Sequence, residues 1–140
     1  MMIAFTVPGK PQGKARPRFN RKCKKPYTPK RTSEYEELVK ASYLQSSCKR
    51  VKLTGEIKAR INAYFPIPKS ETKERRLKML GGWIKPTVKP DADNIIKAVL
   101  DALNGYAYKD DAAVVSVTAT KEYSEYPRVD IVLEGDVESS

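Results

Sequence analysis

The sequence predicts an α+β fold in which helices pack on one side of a small mixed β-sheet. Short runs near the start, middle and end of the chain alternate between apolar and polar residues, as half-buried strands do. A strongly periodic amphipathic helix lies between the middle run and the last two runs. With 140 residues, the chain is long enough for one domain with its own core, and we expect a single domain over residues 1–140.

The N-terminal part of the chain predicts a strand, a loop and a helix. Residues 3–7 read as a short strand that a Pro-Gly pair ends. Residues 14–31 are strongly basic with almost no apolar periodicity, so we expect an exposed loop that is mobile without a ligand. A helix is predicted to begin at Ser33, because Ser33 and Glu36 have the spacing of a capping box, and to fade near Cys48.

The middle of the chain predicts one strand and one short helix. Residues 52–65 alternate well enough for a strand. Ser70 is positioned to cap a short basic helix that Gly81 and Gly82 end. Trp83 follows as the one tryptophan of the chain, and such a residue is more often a core anchor than a base-stacking platform.

The strongest helix signal lies in the C-terminal third, where an Asn-Gly pair closes a run of aliphatic residues at helical spacing: Ile95, Ile96, Val99, Leu100 and Leu103. Residues 114–123 and 128–133 alternate as two further strands, and residues 135–140 are predicted to be a loose tail. Helices that follow and precede strands in this order favour the α+β class.

Composition excludes several classes of protein. No apolar run approaches the roughly 20 residues of a membrane span, and the first seven residues are too short for a signal peptide. The two cysteines, Cys23 and Cys48, lack metal-ligand spacing and cannot form a disulfide framework, so we expect a reducing, cytoplasmic location. The sequence contains no histidine, so any chemistry proceeds without imidazole.

The net charge of +10 is unevenly distributed. Residues 1–33 contain ten Lys and Arg and no acid, whereas residues 90–140 contain four Lys and Arg and eleven acids. Nucleic acid would be attracted to the basic segments and repelled by the acidic one unless a cation lay there. A basic protein can be merely soluble, but a single-sign run of this length favours nucleic-acid contact. The residues that we expect to bind DNA phosphates are Lys14, Arg16, Arg18, Arg21, Lys24, Lys25, Lys30, Arg75, Arg76 and Lys89.

Two pairs of aspartates stand out in the acidic part: Asp91 with Asp93, and Asp110 with Asp111. Like charges this close repel one another unless a cation neutralises them, and oxygen ligands alone select a hard ion such as Mg²⁺ or Mn²⁺. Asp93 lies at or near the start of a helix, where one aspartate is an ordinary cap, but a second exceeds what a cap needs. Lys97 lies four residues after Asp93. It is either an ion-pair partner of Asp93 or a cation beside the metal that holds the phosphate at which a nucleic acid is cut.

Whether the two pairs meet depends on the segment between them. The intervening helix is about 18 Å long at 1.5 Å per residue, so the chain that follows it has to recover that distance. Residues 106–108 would do so if they were extended.

Five segments resemble the signature of the RusA family of Holliday junction resolvases, which are endonucleases common in prophages. Three of them are Pro90-Asp91-Ala92-Asp93-Asn94 with Lys97, Val99-Leu100-Asp101-Ala102-Leu103, and Lys109-Asp110-Asp111-Ala112-Ala113-Val114. The other two, residues 7–11 with 15–18 and residues 27–30, resemble the prophage branch found in Gram-positive bacteria.

The resemblance implies a small α+β homodimer that uses Mg²⁺, with Mn²⁺ as a possible substitute, to nick opposed strands of a four-way DNA junction in recombination and repair. By position, it implies that Asp91, Asp93 and Asp111 are metal-binding acids and that Lys97 is essential; the choice between Asp110 and Asp111 stays open. Two alternatives remain, a non-catalytic basic nucleic-acid-binding protein and a nuclease that prefers flaps or linear duplex.

Overall fold

The structure, a computed structural model, describes residues 1–14, 18–19, 26–27, 30–46 and 51–137. Most of the predicted basic loop lies outside these residues, and so do the predicted DNA contacts at Arg16, Arg21, Lys24 and Lys25. For Arg18 the backbone alone is described.

The described residues form a mixed open sheet with helices packed against it, which confirms the predicted α+β class. The elements in chain order are β1 (Met2–Pro8), β2 (Arg18–Phe19), β3 (Pro26–Tyr27), α1 (Lys30–Ser46), β4 (Leu53–Pro66), α2 (Lys73–Leu80), α3 (Ala92–Leu103), β5 (Val114–Ser124) and β6 (Arg128–Val137). A 3₁₀ turn, Asp111–Ala113, leads into β5. None of the helices in the described ranges is both long and apolar enough to cross a membrane.

The main sheet has the strand order β1-β6-β4-β5. Strand β6 pairs antiparallel with both β1 and β4, whereas β4 and β5 are parallel. Parallel neighbours need a crossover connection, and here α2 and α3 lie within it. The register places Phe5, Ile131 and Ile61 in one row across three strands, and all three are buried.

Helix α3 packs into the core by the face that its aliphatic spacing predicts. Ile95, Val99, Leu100 and Leu103 are buried, and Ile96 is partly buried against the same cluster. The residues that α1 buries beside this face are Tyr35, Val39 and Tyr43. Burying each large apolar side chain stabilises the fold by about 1.5–3 kcal/mol, so this interface fixes the position of α3 firmly.

Two predicted helix starts were wrong. Helix α1 begins at Lys30, and its first turn includes the buried Thr32, so Ser33 lies inside the helix. Helix α2 is capped by Thr72, whose hydroxyl accepts the Arg75 N–H at 3.3 Å. Ser70 precedes that position, in the turn between β4 and α2.

Two other predictions were also wrong. Residues 135–137 belong to β6, because the Gly135 N–H donates to the Met1 carbonyl and the Met1 amine donates to the Gly135 carbonyl. Trp83 is 85% exposed and is therefore not a core anchor.

The connector after α3 folds back on the end of the helix. The N–H groups of Tyr106 and Ala107 both donate to the Leu103 carbonyl at 3.0 Å, and the Gly105 N–H donates to the Tyr108 carbonyl at 2.8 Å. Tyr108 is fully buried, and its hydroxyl donates to the Leu100 carbonyl at 2.7 Å. The connector is thus a compact turn, not the extended segment that would return the chain along α3.

The Tyr108 hydroxyl gives a direct test of this anchor. Tyr108→Phe should lower the free energy of unfolding by about 1–2 kcal/mol, because it removes a buried hydrogen bond at a helix end whose last carbonyls lack helical partners. Urea denaturation monitored by circular dichroism measures the change. Tyr126→Phe, at an exposed turn position, is the matched control and should leave stability unchanged; equal effects of the two substitutions would contradict the proposed anchor.

Candidate active site

The N-terminal end of α3 carries the first aspartate pair. Asp91, not Asp93, is the N-cap residue. One of its carboxylate oxygens accepts a hydrogen bond from the side-chain amide of Asn94 at 3.0 Å. Asp93 lies in the first turn and forms an exposed ion pair with Lys97 at 3.2 Å. The helix dipole favours both carboxylates at this end.

The C-terminal end of α3 carries the second acidic group. Asp111 begins the 3₁₀ turn, and its N–H donates to the Asn104 side-chain oxygen at 2.8 Å. Asn104 is the C-cap residue of α3, so this bond ties Asp111 to the end of the helix. Burial raises the pKa of Asp111, and so do a hydrogen bond with Asp110 and the negative charges of Asp110 and Asp101.

The two acidic groups therefore lie at opposite ends of one helix. Asp111 interacts with Asp101, which lies eight residues beyond Asp93, or about 12 Å further along the helix axis at 1.5 Å per residue. Across the described ranges, no three Asp, Glu, Cys or His side chains converge around one point suitable for a metal ion. The compact connector instead keeps Asp111 beside the end of α3, where Asp110 and Asp101 each act on its carboxyl without the three forming one cluster.

Lys14 links the N-terminal segment to this acidic group. Its N–H donates to the Asn94 carbonyl at 3.0 Å, and its ammonium pairs with Glu36 and lies 3.7 Å from Asp101. The preceding Gly13 permits this close approach, since a Cβ at that position would lie 2.9 Å from the Cβ atoms of Asn94 and Pro90. The ion pairs commit Lys14 to the acidic side of the molecule, although the sequence predicted a phosphate contact.

The other described DNA-contact predictions lie on the surface. Lys30 and Lys89 are exposed, and Arg76 is partly buried. Arg75 pairs with Glu71 at 2.7 Å and remains more than half exposed. These cations are available to a polyanion, because surface ion pairs of this kind contribute little free energy and exchange readily.

Sequence reasoning missed two contributors to the site. Asp101 was named only as part of a family motif, but its charge and a side-chain hydrogen bond act on Asp111. Asn104 was noted as a helix-ending residue, and it also holds the Asp111 backbone. The cap position of Asn104 was the available signal, because a side-chain acceptor at a helix end often binds the backbone that follows.

The chemistry of the donors at both ends suits a hard divalent cation. Every candidate ligand is a carboxylate, which is the donor type that Mg²⁺ and Mn²⁺ prefer. Burial first, and then the hydrogen bond and charge of Asp110 and the charge of Asp101, raise the pKa of Asp111 at the C-terminal end of α3. A bound cation would lower the electrostatic cost of ionising these groups.

The raised pKa of Asp111 predicts a pH-dependent stability difference. The stability contributed by such a carboxyl is fully present below its ordinary pKa of 3.8 and is lost as the pH rises through the raised value. In EDTA at neutral pH, Asp111→Asn should therefore increase the free energy of unfolding, by less than about 1 kcal/mol because water screens a partly exposed group. This difference in the free energy of unfolding should disappear below pH 3.8, where the Asp111 carboxyl is protonated in both the folded and the unfolded protein.

Urea denaturation at a series of pH values measures this difference. Glu125→Gln removes an exposed acid in the turn between β5 and β6 and controls for the increase in net positive charge. An Asp111→Asn protein that is no more stable than the parent at neutral pH would contradict the assigned electrostatics.

The chain is similar to known proteins over most of its length. Residues 8–134 match the family described as endodeoxyribonuclease RusA. The chain is also 37% identical over 138 residues to the uncharacterized protein YqaN of Bacillus subtilis (strain 168), and the match covers 94% of each chain. The family match includes both ends of α3 and the segments that hold them. The chain therefore belongs to the RusA family of endodeoxyribonucleases.

Proposed function

We propose that the protein is a Mg²⁺-dependent, structure-specific endodeoxyribonuclease that resolves four-way Holliday junctions by paired phosphodiester hydrolysis. Family membership supports the cutting of DNA. The observation that carries the finer proposal is the pair of acidic groups at the two ends of α3, in a chain with a net charge of +10. The carboxylates of this helix would repel the phosphates that the basic surface attracts, and a divalent cation between them would offset that repulsion.

The separation of the two acidic groups supports a homodimer. A two-fold axis near the middle of α3 would set the Asp91–Asp93 end of one copy beside the Asp101, Asp110 and Asp111 end of the other. The same operation generates a second, identical site. Two equivalent sites match the two equivalent strands of a four-way junction, whereas a single site would leave the junction nicked on one strand.

Each side chain has a defined role in this proposal. Asp91 and Asp93 of one copy and Asp111 of the other, with Asp110 beside it, would hold Mg²⁺, which polarises a phosphodiester and lowers the pKa of water when bound. Lys97 places a positive charge one helical turn from Asp93, where it stabilises negative charge on the leaving oxygen. Asn104 is a positioning residue, because its bond to the Asp111 N–H fixes that carboxylate relative to α3.

The surface cations supply affinity for DNA without reading its sequence. Contacts from Lys30, Arg75, Arg76 and Lys89 to phosphates depend on charge and spacing and are common to all sequences. Selection of a branched substrate then rests on shape. Binding should weaken as salt concentration rises, since each phosphate contact releases counterions.

A panel of substrates tests the proposed activity. The protein should cut labelled four-way junction in Mg²⁺ or Mn²⁺, leave it intact in Ca²⁺ or EDTA, and cut flap and linear duplex much more slowly. Denaturing gels resolve the products. Equal cutting of all three substrates would indicate a general nuclease, and salt-sensitive binding without any cutting would indicate a non-catalytic DNA-binding protein.

The role of Asp93 is tested by a substitution that preserves its shape. Asp93→Asn should reduce junction cutting on the order of 100-fold or more, because it removes a charged ligand of the cation. Junction affinity in a gel shift should stay within about threefold of the parent, since loss of an acid does not weaken attraction to phosphate. Asp136→Asn, on strand β6, serves as the control and should cut normally; a fully active Asp93→Asn protein would contradict the assignment.

A further inference from the structure

Helix α2 and the turn that follows it expose an apolar stripe that the site described above does not use. Leu77, Leu80 and Trp83 follow one another at intervals of three and are 63%, 41% and 85% exposed. Met79 is the buried residue of α2 and attaches the helix to the body of the molecule. Large apolar side chains that stay in water at this density mark a surface that binds something.

Trp83 is held in place although it is exposed. Its backbone N–H donates to the Lys78 carbonyl at 2.9 Å, and the Gly81 N–H donates to the Leu77 carbonyl at 2.9 Å, so the chain turns tightly over the end of α2. A Cβ added at Gly81 would lie 3.1 Å from Cδ1 of the indole, which shows that the ring leans on the glycine backbone. The backbone at Trp83 is therefore held by hydrogen bonds, and one edge of the exposed indole lies against Gly81.

The charges around the stripe indicate the chemistry of its partner. Residues 69–89 contain seven Lys and Arg and two Glu. The two acids already pair with helix cations, Glu71 with Arg75 at 2.7 Å and Glu74 with Lys78 at 3.6 Å. A second copy docked on this stripe would bring two basic surfaces together, whereas a polyanion with apolar faces would match both the charge and the indole.

Nucleic acid combines negative charge with open apolar faces only where its bases are unstacked. In a continuous duplex each base face is covered by its neighbours, so an indole has no ring to contact. At a branch point or an unpaired position, base faces are open, and aromatic or aliphatic side chains can occupy the gap between them.

We propose that Trp83 stacks on an unstacked nucleobase at the branch point of DNA, with Leu77 and Leu80 beside it and the cations of α2 on the flanking phosphates. The proposal rests on the proposed function for the identity of the substrate. It assigns to α2 a part in recognising branched DNA that is separate from the acids of α3.

The single tryptophan of the chain makes the test direct, because intrinsic tryptophan fluorescence reports on Trp83 alone. The protein is titrated in Ca²⁺ with four-way junction, linear duplex of equal length and single-stranded DNA, and the bound fraction is measured independently by anisotropy of a labelled strand. At equal saturation, junction and single strand should quench the emission and duplex should leave it nearly unchanged. Junction binding without quenching, or equal quenching by duplex, would overturn the proposal.

Substitution measures the contribution to affinity. Trp83→Ala should weaken junction binding by about 5- to 150-fold, the range expected for one base–aromatic stacking contact, and duplex binding by less than about twofold. Trp83→Phe should recover part of the loss because it keeps an aromatic face. Tyr126→Ala, which removes a ring that is 75% exposed in the turn between β5 and β6, is the matched control and should bind like the parent. An equal loss for junction and duplex in Trp83→Ala would contradict a role in stacking.

Two further outcomes separate this inference from the nuclease proposal. Quenching by junction in a protein that cuts no DNA in Mg²⁺ would support stacking and contradict the nuclease. Efficient junction cutting without quenching would support the nuclease and overturn the stacking role. A shift of Trp83 emission with protein concentration in the absence of DNA would place a second copy on the stripe and also overturn it.

Discussion

The rigid length of helix α3 is the constraint on which the proposed chemistry depends. Its buried face, formed by residues such as Ile95, Val99 and Leu103, fixes the helix against the sheet. The Tyr108 hydroxyl donates a hydrogen bond to a carbonyl in its last turn. Gly13 lets the N-terminal segment close over its first turn. Because a packed helix cannot bend its ends together, the proposed function needs a second molecule to bring the two acidic ends together.

The two ends of α3 differ in how their negative charge is compensated. At the N-terminal end, where the helix dipole favours negative charge, Lys97 pairs with Asp93 and the side-chain amide of Asn94 donates to Asp91. At the C-terminal end the dipole is unfavourable, and burial together with the charges of Asp110 and Asp101 raises the pKa of Asp111. The ammonium of Lys14 lies 3.7 Å from Asp101 at this end. In the proposed function, a cation would add positive charge beside Asp111.

Local sequence patterns predicted those parts of the fold that depend on local periodicity. The aliphatic spacing and the Asn104-Gly105 pair located α3, and alternation located β4, because both signals reflect which face of one element is buried. The first turn of α1 and the exposure of Trp83 depend on tertiary packing, which periodicity does not encode. The ion pairs of Lys14 with Glu36 and Asp101 join residues far apart in sequence, so local periodicity could not predict them. The distance between the two acidic groups did not follow from the sequence either, because it depends on the connector after α3, which hydrogen bonds to the Leu103 carbonyl make compact.

Mixing two inactive variants tests most directly whether each site needs both ends of α3 from different molecules. Asp93→Asn and Asp111→Asn proteins, each inactive alone, are combined, allowed to exchange subunits and assayed on four-way junction in Mg²⁺. In a mixed dimer one site carries both substitutions and the other carries neither, so random exchange should restore roughly a quarter of the parental sites and yield nicked junctions. A mixture of Asp91→Asn and Asp93→Asn, which damage the same end of α3, should stay inactive. Failure of the first mixture to nick, although subunit exchange is shown by labelled chains, would contradict the account.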